Sequence, residues 1–510
     1  MKQTIFEKFP MMYAYYVLAI VSIGYVLGEL GHYLIGATSK AIATDLHYGD
    51  IACQLNSTDF LLSELPIQCS DANSSEICLS LDLNGTKYCE WSYNGLGLDY
   101  QILAGPAFIA VFTIVGVIIG FAADKFKRAR MLTICTIVFS IAMIFSGSVT
   151  KYWQLVVLRM IMAAGESGCN PLATGLLTDI FPEEKRALVM SIFNWGIYGG
   201  YGLAFPVGRY LPALNIWETG WRITYYGAGV IALIVGLITW LTLKEPARQA
   251  IGETANVDSD KKVTIWTVVK DPRIIMLCVA ASIRHCGGMC FAYNCDLYYR
   301  QYFPDYDLGW WLFAVTVGIG SIGVVAGGII SDKFVAKMGI RSRVMVLAVS
   351  QIIATPTAFG SVFFTPVGAM ICLAISYIFA EMWFGILFAI LVEIVPLKVR
   401  STTVGIFLFF MNNIGGNLPI LVEPVSKAIG YRESLYIFYA GFYGISSLLF
   451  LFTLFLMDGP KPAETPVTNS NKQLRGVDNV VFTTADERGL PTVTAMISNS
   501  RRPTMGDSRL

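Results

Sequence analysis

The sequence predicts an all-α polytopic membrane protein whose twelve transmembrane helices form two similar six-helix halves. Hydrophobic residues make up 55% of the 510 residues and charged residues only 14%, which is too apolar for a soluble chain of this length. Apolar stretches of about 20 residues, the length that crosses a bilayer, recur along the chain. Short motifs of the first half also return in the second half. The net charge of +1 gives no indication of nucleic-acid binding.

The apolar stretches are numbered here as spans one to twelve. They lie at roughly 11–36, 99–121, 130–149, 152–178, 187–212, 220–243, 272–298, 308–330, 343–361, 363–392, 401–426 and 433–457. The first is not a cleavable signal peptide, because it is too long and a polar loop follows it. The predicted organisation is therefore a terminus (1–10), an N-terminal half (11–243), a polar linker (244–271), a C-terminal half (272–457) and a tail (458–510). The tail is rich in Pro, Ser and Thr, and we expect it to be disordered.

Basic residues predict the orientation in the membrane. The short loops after spans two, four, eight and ten are rich in Lys and Arg, whereas the opposite loops carry few bases. Since basic loops remain in the cytoplasm, we expect both chain termini to be cytoplasmic. The segment 37–98 would then lie outside.

The outer segment carries signals of an oxidising compartment. Three glycosylation sequons begin at Asn56, Asn73 and Asn84. The segment also holds four cysteines, Cys53, Cys69, Cys78 and Cys89. An even number in this setting predicts two disulfides, with three pairings open. The other seven cysteines are expected to be small packing residues, and no cysteine or histidine spacing indicates a metal.

Motifs repeat about 210 residues apart. "GFAADKF" (120–126) ends span two and "GIISDKF" (328–334) ends span eight, while "DIFPEEKR" (179–186) and "EIVPLKVR" (393–400) follow spans four and ten. Glu166 and Glu381 precede the last two motifs by nearly the same distance. Such parallel halves are related by an axis along the membrane normal, with the substrate site between them near the midplane.

The stretches after spans two and eight resemble the signature of the major facilitator superfamily. The matching residues are Gly120, Asp124, Lys125, Arg128 or Arg130 in the first copy, and Gly328, Asp332, Lys333, Arg341 or Arg343 in the second. The resemblance implies the twelve-helix major facilitator fold, in which this motif holds the inner gate shut. Asp124 and Asp332 would cap or pair with neighbouring helix ends, so we expect gating rather than substrate contact from them.

Within that superfamily the sequence resembles the spinster-like transporters. The resemblance is carried by "RMIMAAGE" (159–166), by Glu381 and by "IVPLKVRSTT" (394–403). It implies transport of lysolipids, including sphingoid phosphates, often coupled to protons. Two features depart from that group. The first helix of that group usually has an acid followed directly by arginine, whereas "GELGHYLIG" (28–36) has Glu29 and His32 but no arginine. The cysteine-bearing first loop is more similar to that of organic-ion transporters.

Seven charged or histidine side chains fall deep inside the spans. They are Glu29, His32, Arg159, Glu166, Arg284, His285 and Glu381. Such residues are costly in a bilayer and normally face a cavity with a partner. They all lie in spans one, four, seven and ten, the helices that the resemblance implies as the cavity lining. We therefore expect them to bind substrate or protons, together with Asn170, Tyr293 and Asn413.

Depth along the helices predicts two clusters. We expect Arg159 to join Glu29 and His32 near the outer side, and Arg284 to join Glu166 and Glu381 near the middle. Arg159 and Glu166 are seven residues apart, about 10 Å of rise, and so cannot pair directly. Static ion pairs between helices are the alternative interpretation. The sequence does not decide whether His285 faces the cavity or packs.

These observations predict a secondary active transporter of an amphipathic or anionic organic solute, lysolipid-like or an organic anion, that works by alternating access and is coupled to protons. The alternatives are a receptor-like membrane protein on the same scaffold and an organic-ion facilitator without proton coupling. No arrangement of nucleophile, base and metal ligands indicates an enzyme, and no cofactor beyond a coupling proton is expected.

The expected setting of the protein follows from the same features. The predicted location is the plasma membrane, with a lysosomal or other endomembrane as the alternative. We expect a monomer in contact with membrane lipids. The terminal "SRL" (508–510) resembles the ligands of PDZ domains, which makes such a protein a candidate partner.

Overall fold

The fold is described from a computed structural model of the full chain. The structure describes residues 10–55, 67, 69, 72, 74–83, 85–181, 183–246, 270–395 and 400–457. Three groups of sequence predictions lie outside the described residues. They are the sequons at Asn56, Asn73 and Asn84, the side chains of Asp124 and Lys125, and most of the predicted terminus, linker and tail.

The N-terminal half contains spans one to six. Their helices are Pro10–Leu46, Pro106–Lys125, Arg128–Ser146, Tyr152–Glu166 with Cys169–Ile180, Glu183–Ala213 and Arg222–Thr242, and a short helix, Leu98–Ala104, precedes span two. Hydroxyl groups inside these helices bond back to carbonyls one turn earlier, as Thr133 does to Ala129 at 2.9 Å. This satisfies polar groups that could not bond to water inside a bilayer.

The C-terminal half contains spans seven to twelve. Span seven is Pro272–Tyr302, span nine is Ile340–Phe363, and span ten is Pro366–Ala380 followed by Trp383–Ile394. Span eight joins Gly309–Phe313, a π-helical segment Ala314–Ile319 and Gly320–Met338; span eleven joins Arg400–Asn417, a 3₁₀ turn Leu418–Leu421 and Val422–Ile429; span twelve joins Tyr431–Leu435, a second π-helical segment Tyr436–Gly441 and Phe442–Leu456.

The helices confirm the predicted all-α membrane fold. Within the described residues, ten helices are long and apolar enough to cross a membrane. Spans four and five, described as the broken helix 152–180 and the helix 183–213, complete the predicted set. One boundary was wrong. Span one continues about ten residues beyond its predicted end, because the polar residues that looked like a loop lie on the last turns of its helix.

A small disulfide-linked segment covers one side of the molecule, which is called the outer side below. Strand β1 (Ile51–Leu55) pairs antiparallel with β4 (Cys89–Tyr93), and β2 (Asp82–Leu83) pairs with β3 (Thr86–Lys87). Disulfides join Cys53 to Cys78 and Cys69 to Cys89, which selects one of the three pairings left open by the sequence. Buried Tyr88 and Leu81 complete its core.

Gly95 holds this segment against span one. Its φ is +79°, and a Cβ there would lie 2.6 Å from the backbone of Lys40, so no larger residue fits. The carbonyl of Gly95 accepts a hydrogen bond from the Ser39 hydroxyl. The segment is therefore attached closely to the outer end of span one.

The two halves contact each other on the outer side. The Gln101 amide donates to Asn294 Oδ1 at 3.0 Å, Arg209 pairs with Asp307 at 2.8 Å, and Lys427 pairs with Asp50 at 3.0 Å. Each of these contacts joins a residue of the N-terminal half to one of the C-terminal half, so the outer side is closed.

On the opposite, inner side, the ion pairs of the described residues stay within one half. Arg128 pairs with Asp179 and lies 3.8 Å from Glu245. In the C-terminal half Arg343 pairs with Asp332 at 2.7 Å and with Glu393 at 2.8 Å. The described contacts therefore join the two halves at their outer ends, whereas the ion pairs at the inner ends brace each half separately.

Candidate functional site

The charged residues inside the spans form two clusters, one in each half. The N-half cluster is Glu29, His32, Arg159 and Glu166. The C-half cluster is Arg284, Gln351 and Glu381. Each cluster lies at a break in a helix, because span four is interrupted at Ser167–Gly168 and span ten at Glu381–Met382.

Glu166 ends the first segment of span four and is 1% exposed. Within the described part of the chain, neither of its carboxylate oxygens has a hydrogen-bond partner. The side chain packs against span one at Gly28, where a Cβ would lie 3.2 Å from Glu166 Cγ. A small residue on span one therefore makes room for a buried carboxylate that has no donor.

Glu29 and His32 lie one turn apart on span one and face Glu166. His32 Nδ1 is 3.9 Å from Glu29 Oε2. One side-chain atom from each of Glu29, His32 and Glu166 lies within 4.8 Å of the other two. Two carboxylates and an imidazole are ligands that transition metals accept. The sequence spacing did not reveal this juxtaposition, because Glu166 lies on a different helix.

Arg159 is fully buried and is bonded to backbone carbonyls. Its guanidinium donates to the carbonyls of Gly31 and His32, both at 3.1 Å, and of Leu103 at 3.3 Å. It also lies 4.5 Å from the centre of the Phe108 ring, which stacks on the His32 imidazole at 4.0 Å. The expected ion pair with Glu29 is therefore replaced by three carbonyl bonds.

The C-half cluster is fully partnered. Arg284 lies 3.8 Å from Glu381 Oε1, donates to Gln351 Oε1 at 2.6 Å and donates to the Ala380 carbonyl at 2.8 Å. Its guanidinium also lies 3.9 Å from the centre of the Tyr443 ring. Glu381 accepts a second contact, a 3.0 Å hydrogen bond from the Tyr198 hydroxyl of the other half.

The predicted grouping of the glutamates was therefore wrong in one respect. Arg284 does join Glu381, but Glu166 lies with Glu29 and His32 rather than with Arg284. The physical reason is packing within each half, because spans four and one enclose Glu166 as spans ten and seven enclose Glu381.

The other predicted site residues make separate contacts. The Asn170 amide donates to the Tyr25 hydroxyl at 3.1 Å, and the Tyr293 hydroxyl lies 3.3 Å from His32 Nε2. Asn413 accepts a 3.1 Å bond from Thr113 across the two halves. His285 packs on Gly415, where a Cβ would lie 2.6 Å from the imidazole. This geometry favours the packing interpretation for His285.

The predicted gating residues lie at the inner side. Arg128 pairs with Asp179 at the exit of span four, and Glu245 accepts from the backbone N–H groups of Arg128 (3.2 Å) and Ala129 (2.8 Å). Arg130 and Lys333 are exposed, and Asp332 pairs with Arg343. In both halves an arginine at the start of the third helix thus pairs with an acid at the end of the fourth helix.

Sequence reasoning missed several partners of the two clusters. Gln351 is the one amide side chain of span nine, and that signal would have identified it as a candidate. The rings of Phe108 and Tyr33 stack on the His32 imidazole, with ring centres 4.0 and 4.5 Å away respectively. Neither residue carried a sequence signal, because aromatic residues are common in every span.

The fold agrees with comparisons to known proteins. The chain matches the Major Facilitator Superfamily over residues 21–418. It is similar to the hexuronate transporter of Bacillus subtilis (strain 168), with 24% identity over 384 residues, 71% of this chain and 86% of the relative. It is also similar to the sphingosine-1-phosphate transporter of Danio rerio, with 28% identity over 149 residues, 29% of each chain.

A solved structure gives the same fold. The crystal structure of a bacterial homologue of the human lysosomal transporter spinster, in an inward-facing and unoccupied conformation, aligns with a TM-score of 0.65 at 19% identity. The alignment covers 86% of this chain and 98% of that one. The chain therefore belongs to the major facilitator superfamily of membrane transporters, and within it is similar to the spinster proteins.

Proposed function

We propose that this protein is a proton-coupled secondary transporter of an amphipathic or anionic organic solute, with Glu166 as the proton carrier. The observation that carries the proposal is the buried Glu166 carboxylate, which has no hydrogen-bond partner in the described residues and lies beside a second acid, Glu29. An isolated buried carboxylate is unfavourable as an anion and is relieved by binding a proton.

The charge balance of the two clusters supports this assignment. The N-half cluster holds one guanidinium, Arg159, and two carboxylates, Glu29 and Glu166, so one negative charge is in excess. One proton neutralises the cluster, whereas a divalent metal would reverse its charge. The C-half cluster already balances Arg284 against Glu381 and needs no proton.

Alternating access makes this excess charge useful for coupling. When the cavity closes around Glu166, the loss of water favours its protonation. When the cavity opens, hydration favours release of the proton. Glu29 is the second member of the same site, because either carboxylate can hold the shared proton.

The chemistry of the relatives supports an organic anion as substrate. Hexuronate, sphingosine 1-phosphate and sulfoacetate, which name three of the similar transporters, all carry a carboxylate, phosphate or sulfonate. The buried Arg284, with the aromatic rings of Tyr443 and Trp383 at 3.9 and 4.9 Å, offers both a cation and apolar surface. This combination fits an amphipathic anion.

The test is Glu166→Gln in proteoliposomes with a panel of lipid and organic anions. The variant should lose accumulation driven by a pH gradient and keep exchange of substrate for substrate, which requires no net proton release. Glu381→Gln is the matched control, since it makes the same change at the partnered glutamate, and it should keep gradient-driven accumulation.

Two results would contradict the proposal. If Glu166→Gln still concentrates substrate against its gradient, Glu166 is not the carrier. If the wild-type protein transports equally well with and without a pH gradient, the protein is an uncoupled facilitator.

We further propose a plasma-membrane location with both termini in the cytoplasm and glycans at Asn56, Asn73 and Asn84. The two disulfides support an oxidising compartment on the outer side. Glycosidase treatment of the protein from its native host should increase its gel mobility. Unchanged mobility would contradict the orientation, and lysosomal staining would favour the endomembrane alternative.

A further inference from the structure

A pocket of about 580 Å³ opens on the outer side, apart from the two buried clusters. Its lining consists of Lys40, Ala41, Thr44, Asp45, His47 and Arg300. The first four lie on the last turns of span one, His47 directly follows the end of that helix, and Arg300 lies near the outer end of span seven. The pocket therefore lies at the junction of the two halves, and it is wide open on the outer side.

The bases of this pocket exceed its acids. Asp45 is the acid of the lining, and its carboxylate is already held by Arg222 at 2.7 Å and by the Trp221 indole N–H at 2.9 Å. Arg300 is held by Asp296 at 2.6 Å and donates to the Ala37 carbonyl at 3.2 Å. These contacts fix the positions of two charged residues around the opening.

Lys40 supplies the excess charge. It is partly buried, and no carboxylate in the described part of the chain forms an ion pair with it. The Glu90 carboxylate attracts the Lys40 ammonium electrostatically without forming an ion pair with it. That carboxylate accepts a hydrogen bond from the Ser92 hydroxyl at 3.1 Å. Lys40 and Thr44 lie one turn apart on the same face of span one, and His47 follows the end of this helix; all three line the pocket together with Arg300.

We propose that this outer pocket binds a phosphate-bearing anion between Lys40 and Arg300, with His47 at its rim. Phosphate accepts several charge-assisted hydrogen bonds at once, and both lysine and arginine supply them. Because the walls belong to both halves, the bound anion bridges them and stabilises the closed outer side. The site is independent of the proposed proton coupling.

The experiment measures binding by the purified full-length protein in nanodiscs of zwitterionic lipid. The unfolding temperature is recorded against increasing inorganic phosphate and against sn-glycerol 3-phosphate, with chloride added to equal ionic strength. A ligand that binds only the folded state raises this temperature in a saturable manner. Stronger binding of glycerol phosphate indicates a lipid headgroup or other phosphomonoester, and stronger binding of phosphate indicates the free ion.

Lys40→Gln should weaken binding about tenfold or more, the effect of losing one charge-assisted hydrogen bond. Lys87→Gln is the matched control, because Lys87 is exposed on the same side and does not line the pocket. Ala41→Glu places a carboxylate in the lining at an exposed position and should abolish binding without removing a contact, which covers the case of a poorly folded Lys40 variant. Equal binding by the wild type, Lys40→Gln and Ala41→Glu, or no saturable effect of either phosphate, would overturn the proposal.

Discussion

Two glutamates at equivalent breaks of spans four and ten differ in their surroundings. Glu381 faces Arg284 at 3.8 Å and the Tyr198 hydroxyl at 3.0 Å. Glu166 faces Glu29 and His32, and neither of its oxygens has a hydrogen-bond donor in the described residues. Duplicated halves thus keep a carboxylate at the same place while its partner changes from a base to an acid.

This difference separates structural from functional roles. An ion pair inside the protein whose partners are both hydrogen-bonded favours one fixed geometry. The charge and stability of a buried pair of acids, by contrast, depend on how many protons the pair binds. We therefore expect the C-half cluster to serve mainly as a fixed contact, and the N-half cluster to respond to its environment. The following experiments test this contrast.

The largest expected effect is that of removing the cation from the C-half cluster. Arg284→Gln leaves the partly buried Glu381 without its base and removes the bonds to Gln351 and to the Ala380 carbonyl. Breaking one partner of a buried pair costs about 3–5 kcal/mol, and thermal unfolding in detergent should show this loss. The double variant Arg284→Gln/Glu381→Gln should recover part of it. A single variant as stable as the wild type would show that the pair is not a fixed contact.

The next largest expected effect is that the two Glu→Gln substitutions change the free energy of unfolding in opposite directions. In mildly alkaline buffer, Glu381→Gln should lower the free energy of unfolding by about 1.5–3 kcal/mol, because it weakens hydrogen bonds to a charged group. Glu166→Gln should raise it, because it removes a buried carboxylate that has no donor. Denaturation of the two variants under identical conditions measures both values. The same sign for both would contradict the proposed contrast.

The sequence predicted the parts of this comparison that depend on one helix at a time. Span length, the repeated motifs and the depth of Glu166 and Glu381 are properties of single segments, and these led to the two-half fold. The pairing of charges depends on which helices adjoin and how they are rotated. From depth alone we predicted that Glu166 would lie with Arg284. In the structure, span four packs on span one, and this packing brings Glu166 beside Glu29.

Local backbone features were also beyond sequence reasoning. Spans four and ten read as continuous apolar stretches, so their breaks beside Glu166 and Glu381 were not expected. Span one continues to Leu46 because Lys40, Thr44 and Asp45 lie on a helix covered by the disulfide-linked segment. The same extension brings Lys40 and His47 to the outer pocket, which no motif indicated.

The smallest expected effect concerns the space made for Glu166. A Cβ at Gly28 would lie 3.2 Å from Glu166 Cγ and 3.3 Å from its carboxyl carbon, closer than ordinary packing contacts. At Gly24, one turn earlier on the same helix, a Cβ would meet only Val235 Cγ1 at 3.8 Å. Alanine is the better helix former by about 1 kcal/mol at either position. Gly24→Ala should therefore stabilise the protein, and Gly28→Ala should fall short of it by about 0.5–1.5 kcal/mol, the cost of an off-rotamer side chain.

The pair of alanine variants also distinguishes packing from coupling. Because Gly28→Ala displaces the Glu166 carboxylate, it should lower gradient-driven accumulation relative to Gly24→Ala while both keep substrate exchange. Unfolding curves and proteoliposome uptake measured side by side supply the two readouts. If the two variants match in both, Glu166 has free space to move, and the close fit against span one does not constrain the proposed carrier. If only stability differs, the contact is structural and the acid itself, not its position, determines the coupling.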